Sequence, residues 1–146
     1  MIDRRLFLLS AIPIPFYAAS PLQVLSPREA VIVEALCDQI VPADDAPGAR
    51  QAGVLYYIDR QLAGPLARFA PRYHAALPVF NGLPDLPFAE QTAFLQALKG
   101  EPAAFFQLVI DHTMQSYYGS PEHGGNRDEA SWKMLDIVDV MGGHKH

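Results

Sequence analysis

The sequence predicts a small all-α domain, a single bundle of about five short helices joined by long loops rich in proline and glycine. Apolar residues recur at helical spacing in several segments, and no segment shows the sustained alternation of a β-strand. Thirteen prolines among 146 residues divide the chain into short pieces. This length suits one domain with one core. We therefore assign residues 26–140 to the helical domain, residues 1–20 to a signal-like segment and residues 141–146 to a frayed tail.

The first helix is predicted from Pro27 to about Ile40. Ser26 can cap it, Pro27 suits its first turn, and Glu29 stands where a capping box needs a carboxylate. The helix should stop before Pro42, because the residue preceding a proline avoids helical backbone angles.

The second helix is expected to start near the two adjacent carboxylates. We predict that Asp44 or Asp45 caps it and that Pro47 lies in its first turn. Its apolar stripe runs at intervals of four residues and ends before Gly64-Pro65. The stripe consists of Val54, Ile58 and Leu62.

Three further segments complete the predicted helices before residue 119. A short helix over 72–80 is bounded or broken by Pro71 and Pro78. Another opens at 85–87 and ends at Gly100, with Phe88, Leu95 and Leu98 on its core face. The last long helix opens at Glu101-Pro102 and ends at Gly119. Its residues near the core are Phe105, Leu108, Val109, His112 and Met114, of which His112 is interpreted as a hydrogen-bonded core or boundary residue.

Composition and charge exclude several classes of function. The formal net charge is -5, and the 11 basic residues are spread over the chain, so no basic face for nucleic acid is expected. Cys37 is the single cysteine, which excludes an internal disulfide, a CxxC metal pair and a CxxCH haem site. Its spacing from Val33 and Ile40 places it on an apolar helix face, so we predict a buried and inert thiol.

The first twenty residues have the pattern of an export signal. Paired arginines followed by Phe-Leu are typical of the twin-arginine route, and the residues concerned are Arg4, Arg5, Phe7 and Leu8. The apolar stretch after them is too short and too broken by proline to span a bilayer as a helix. We predict periplasmic localisation, with membrane association only through this segment or through partners. A Sec signal or a disordered apolar start remains an alternative, and cleavage of the segment stays open.

The segment 117–132 combines glycines, a proline and large aromatic side chains. Such irregular segments often do the contacting when rigid helices hold them. Asn126 or Asp128 is expected to cap a final short helix through Trp132. Either this segment contacts a partner, or Trp132 packs on the chain's own core and the glycines only turn the backbone. The candidate contact residues are Tyr118, Gly119, Pro121, His123, Gly124, Gly125, Asn126 and Trp132.

Two sequence blocks stand out in addition to the arginine pair. The first reads PADDAPGA at 42–49 and continues with AGV at 52–54, and the second reads YGSPEHGGN at 118–126 and is followed by Trp132. Together with Arg4-Arg5, these blocks resemble the gluconate 2-dehydrogenase subunit 3 family. The resemblance covers nearly all of the chain after the signal. Family members often carry a Gly-Tyr-Pro-Gly-like stretch after the tryptophan, whereas this chain continues Lys-Met-Leu-Asp, so the contacts of its C-terminus stay open.

The resemblance implies a non-catalytic small (gamma) subunit that holds no cofactor of its own. Its expected partner is a glucose-methanol-choline (GMC) type flavoprotein that binds FAD and oxidises a sugar or sugar acid. A multihaem cytochrome c subunit, when present, accepts the electrons. The small subunit is expected to assist folding of the flavoprotein and to supply the twin-arginine signal for export.

Two other functions stay open at the level of the sequence. One is a stand-alone periplasmic helical module that binds a small apolar ligand. The other is a small metal-dependent enzyme in which His112, His123 and Asp44 or Asp45 gather a metal ion, although these residues lack a recognised ligand spacing.

Overall fold

The computed structural model describes residues 21–119. Within this range the fold is of the all-α class, as predicted. Six α-helices and three short 3-10 segments follow one another, with no strand among these residues. The α-helices are α1 (Pro27–Ile40), α2 (Ala49–Ala52), α3 (Val54–Leu62), α4 (Ala70–Ala76), α5 (Phe88–Gln96) and α6 (Gly100–Tyr117). The 3-10 segments are Ala67–Phe69, Leu77–Phe80 and Leu83–Asp85. No helix in this part of the chain is long and apolar enough to cross a membrane.

The capping box predicted for α1 is confirmed. The Glu29 backbone N–H donates to Ser26 Oγ at 3.1 Å, and the Ser26 N–H donates to Glu29 Oε1 at 2.9 Å. Each contact satisfies an N–H group that the first turn of a helix leaves without an intrahelical partner. The helix ends at Ile40, two residues before Pro42, as expected.

Helix α1 lies at the centre of the bundle. It contacts α2, α3, α5 and α6 as well as the 3-10 segments Leu77–Phe80 and Leu83–Asp85. Its most deeply buried side chains are Ile32, Val33, Leu36 and Cys37. The core therefore surrounds α1 on several sides.

The predicted start of the second helix is wrong. Gly48, not Asp44 or Asp45, is the N-cap residue of α2, and Pro47 precedes the helix. The Asp44 carboxylate instead accepts from the Ala46 N–H at 2.8 Å and closes a local turn, a contact that competes with helix capping. Gly53, with φ of 75°, then separates α2 from α3.

The apolar stripe of α3 is confirmed, since Val54, Ile58 and Leu62 are all buried. Two boundary predictions after it need correction. Pro71 lies in the first turn of α4, where proline is tolerated, and does not break the helix. Gly100 begins α6 with φ of 65°, whereas α5 ends at Gln96.

The core face of α5 is only partly as predicted. Leu95 is buried and Leu98 packs against the core, but Phe88 is 52 % exposed. Phe88 is the first residue of α5, so the correct helical spacing still leaves its ring beyond the edge of the core. In α6, Phe105, Val109 and His112 are buried, as expected, and Leu108 and Met114 are half-buried. The final short helix predicted through Trp132 lies outside the described residues.

Gly48 and Gly82 provide a matched test of the packing around α2. A Cβ atom at Gly48 would lie 2.6 Å from the Ala43 backbone nitrogen, whereas one at Gly82 would meet nothing within 4 Å. We expect Gly48→Ala to lower the free energy of unfolding by about 1–3 kcal/mol, because a rigid backbone must shift. Gly82→Ala should change it by less than about 1 kcal/mol. Urea unfolding measures both values, and equal losses would contradict the close packing at Gly48.

Candidate functional site

The described part of the candidate contact segment begins at the surface, directly after α6. Tyr118 is 43 % exposed, and its ring meets the Tyr117 ring edge-on with 5.0 Å between the centroids. The Gly119 N–H donates to the Ser116 carbonyl at 3.3 Å. A Cβ atom on Gly119 would lie 2.5 Å from the Gln115 carbonyl oxygen, so glycine suits this exit from the helix. The other predicted contact and signal residues lie outside the described residues: Arg4, Arg5, Phe7, Leu8, Pro121, His123, Gly124, Gly125, Asn126 and Trp132.

Tyr117, which directly precedes the second of the two sequence blocks, contacts the first block. Its ring is buried, and its hydroxyl donates to the Pro47 carbonyl at 2.5 Å. This contact fixes the end of α6 against the turn 42–47. Burial raises the Tyr117 pKa, and the nearby Tyr118 and Asp44 raise it further, so the hydroxyl keeps its proton as a donor. We call the exposed turn 42–47 together with Tyr118 and Gly119 the candidate contact surface.

Asp59 is a structural residue that the sequence analysis missed. Its side chain is 3 % exposed and accepts three backbone hydrogen bonds from the segment preceding α1. The Gln23 N–H donates to Oδ2 at 2.7 Å, and the N–H groups of Val24 and Leu25 donate to Oδ1 at 3.0 and 2.9 Å. Such charge-assisted hydrogen bonds are stronger than neutral ones. Asp59 therefore anchors the segment 23–25, which leads out of the N-terminal twenty residues, to α3.

His112 is a hydrogen-bonded core residue, as the sequence predicts. Its Nδ1 lies 2.8 Å from the Tyr73 hydroxyl, and the ring meets Phe69 edge-on at 5.2 Å. Burial lowers the His112 pKa, Asp111 opposes this shift, and Arg68 adds to it. The neutral imidazole is thus favoured in the folded chain. Tyr73, itself buried against Phe105, holds one imidazole nitrogen inside the bundle.

The Cys37 thiol is buried, as expected. Its Sγ lies 3.4 Å from Thr113 Oγ1. The thiol pKa is raised to about 12, mainly by burial; the Thr113 contact opposes this shift, and the neighbouring Asp38 and Glu34 add to it. Since the thiolate is the reactive form, this thiol is inert towards nucleophilic chemistry at neutral pH.

The metal site considered from the sequence is not assembled in the described part of the chain. No group of three His, Cys, Asp or Glu side chains close enough to hold a metal ion occurs among residues 21–119. His112 contacts Tyr73, and Asp44 closes its own turn. The third proposed ligand, His123, lies outside these residues.

An open apolar groove lies where the chain enters α1. It has a volume of about 490 Å³ between the entering segment, α1 and α3. Val31, 48 % exposed, stands on its wall, and Leu25 and Leu55 are buried beneath it. The remaining residues that line it are Leu22, Pro27, Ala30, Glu34 and Tyr56.

One charged cluster lies at the rim of this groove. The Arg50 guanidinium contacts Asp38 Oδ2 at 2.6 Å and Glu34 Oε1 at 3.3 Å. Burial raises the Glu34 pKa, Arg50 opposes the shift, and Asp38 adds to it. Two carboxylates thus share one guanidinium beside an apolar surface.

Replacing Asp59 tests the anchor on the segment 23–25. In Asp59→Asn the amide offers fewer acceptor positions and places a donor against backbone N–H groups. We expect a loss of about 1.5–3 kcal/mol in the free energy of unfolding, since buried hydrogen bonds to a charged group are broken. Amide hydrogen exchange at residues 23–25 should accelerate. Asp38→Asn, which removes a more exposed carboxylate from an ion pair, should cost less than about 1 kcal/mol and leave these amides protected. Unchanged exchange in Asp59→Asn would contradict the anchor.

Comparison with known protein families identifies a match that covers most of the chain. A family model described as gluconate 2-dehydrogenase subunit 3 matches residues 27–137. This range includes the first sequence block, all six described α-helices and the segment that follows α6. No curated protein and no solved structure matches the chain.

Proposed function

The chain belongs to the gluconate 2-dehydrogenase subunit 3 family, and we propose that it is the non-catalytic small (gamma) subunit of a membrane-associated, FAD-dependent dehydrogenase. The family name implies a subunit of a multi-subunit dehydrogenase complex. In our proposal the catalytic partner is a GMC-type flavoprotein that oxidises a sugar or sugar acid. FAD, and haem c where a cytochrome subunit is present, belong to the partners.

The non-catalytic role is supported by the contacts of three side chains that could take part in catalysis elsewhere, since all three are engaged in contacts within the fold. Asp59 binds three backbone N–H groups, the His112 ring contacts Tyr73, and the Cys37 thiol is buried against Thr113. Each of these side chains stabilises the bundle from inside. A rigid helical body whose polar groups serve its own fold suits a subunit that works by binding a partner.

The proposed contact with the flavoprotein includes the candidate contact surface. Tyr118 offers an exposed aromatic ring, a side chain that supplies broad contact area at interfaces. Tyr117 holds the base of this surface through Pro47, so little order has to be created on binding. The segment that continues to Trp132 extends the same contact in our proposal, with its glycines allowing close approach of the two backbones.

The proposed export role rests on the twin-arginine pattern of Arg4 and Arg5. Because that route carries folded proteins, one signal can bring a bound partner with it. The small subunit thus assists folding of the flavoprotein in the cytoplasm and directs the assembled complex to the periplasm.

A charge-conserving double variant tests export. Arg4→Lys with Arg5→Lys keeps both positive charges but removes the arginine pair. On co-expression with the flavoprotein, we expect dehydrogenase activity to move from the periplasmic to the cytoplasmic fraction, with at least about a tenfold fall in the periplasm. Arg60→Lys, an exposed position on α3, should leave the distribution unchanged. Undiminished periplasmic activity in the double variant would overturn the export role.

Valine at two glycines tests the contact segment. Gly124→Val with Gly125→Val adds bulk and restricts the backbone where we propose close approach. Co-purification with the flavoprotein should fall at least about tenfold, while the circular dichroism of the isolated chain stays helical. Gly82→Val, with open space around the added side chain, is the matched control and should co-purify normally. Full retention of the partner by the double variant would remove this segment from the interface.

A further inference from the structure

The groove beside the start of α1 is partly formed by the segment that enters the helix. Leu22 and Leu25, which line it, belong to the segment through which the chain emerges from residues 1–20. Asp59 fixes the backbone between and beside them by the hydrogen bonds from residues 23–25. The described chain therefore begins next to the groove, and the hydrogen bonds to Asp59 fix its backbone there.

We propose that this groove binds the apolar stretch Leu6–Leu9 of the same chain. The lining of Leu22, Leu25, Ala30, Val31 and Leu55 matches the chemistry of Leu-Phe-Leu-Leu. Val31 stands half-exposed in this groove, and an apolar side chain on it removes both surfaces from water. The groove is open to solvent, and its volume of about 490 Å³ is comparable with that of small-ligand sites.

The tether has the length and position that this contact requires. Twelve residues lie between Leu9 and Leu22, and they can span up to about 40 Å when extended. The chain can therefore turn back into the groove. A tether of this length gives an effective concentration of about a millimolar, so a contact with a dissociation constant in the same range fills the site about half of the time.

The net charge next to the groove is opposite to the charge next to Leu6–Leu9. The cluster of Glu34, Asp38 and Arg50 carries two negative groups and one positive group. Arg4 and Arg5 immediately precede Leu6 and bring two positive groups to the same rim. In this arrangement the body of the protein covers its own apolar leader until a receptor or membrane competes for it. The inference concerns the isolated chain and does not depend on the proposed dehydrogenase partner.

Cysteine labelling in the full-length chain tests the proposal. Val31→Cys places a thiol in the groove, and Val79→Cys places one at a similarly exposed position on the 3-10 segment Leu77–Phe80. The buried Cys37 supplies only a slow background, measured in the parent chain. Maleimide should label Val31→Cys at least about twofold faster once Phe7→Ser and Leu8→Ser are added, since occupancy of half or more halves the accessible fraction. The rate for Val79→Cys should not change.

Three outcomes would overturn the proposal. One is an equal labelling rate for Val31→Cys with and without the serine substitutions. Another is protection that appears only when purified flavoprotein is added, which would assign the groove to the partner and leave the proposed function intact. The third is protection that grows with protein concentration, which would assign it to a second copy of the chain. Loss of co-purification in the preceding experiments, by contrast, has no bearing on these rates.

Discussion

Burial of α1 on several sides is the constraint on which the rest of the fold depends. A helix that contacts four other helices must present a broad apolar face, and Ile32, Val33, Leu36 and Cys37 form the centre of that face. The small helices α2 and α4 have too few residues to be stable alone. Both are stabilised because each covers part of a shared core. The short helices therefore depend on packing around α1.

Features governed by neighbouring residues could be predicted from the sequence, and features governed by tertiary contacts could not. The Ser26 capping box and the stripe of α3 involve residues three or four positions apart, so the local pattern determines them. Asp44 is an exception among the local features, because a turn and a helix cap compete for the same carboxylate there. The exposure of Phe88 depended on where the core ends, which is a tertiary feature. The structural role of Asp59 could not be predicted, because its hydrogen-bond donors lie 34 to 36 residues away in the chain. A single carboxylate on a helix carries no signal of such a contact.

The candidate site follows the same division. Tyr118 and Gly119 were identified because they belong to a segment rich in glycine and aromatic residues. The structure places them directly after α6, with the Tyr118 side chain exposed. It also brings them next to the turn 42–47 through Tyr117 and Pro47, a pair 70 residues apart whose contact no local pattern indicates. Side chains that could do chemistry elsewhere, such as His112 and Cys37, are enclosed by aromatic and hydroxyl neighbours. Both side chains therefore contribute to the packing of the bundle.

The anchor at Asp59 also has a consequence for the order of events during biosynthesis. Residues 23–25 are synthesised before the carboxylate that holds them. At roughly 5–20 residues per second, translation needs about 2–7 s to cover the interval. Throughout that delay the backbone leading from the N-terminal segment has no tertiary partner, and it gains one only when the nascent α3 packs onto α1. The hydrogen bonds to residues 23–25 can therefore form only after the chain has been synthesised as far as α3.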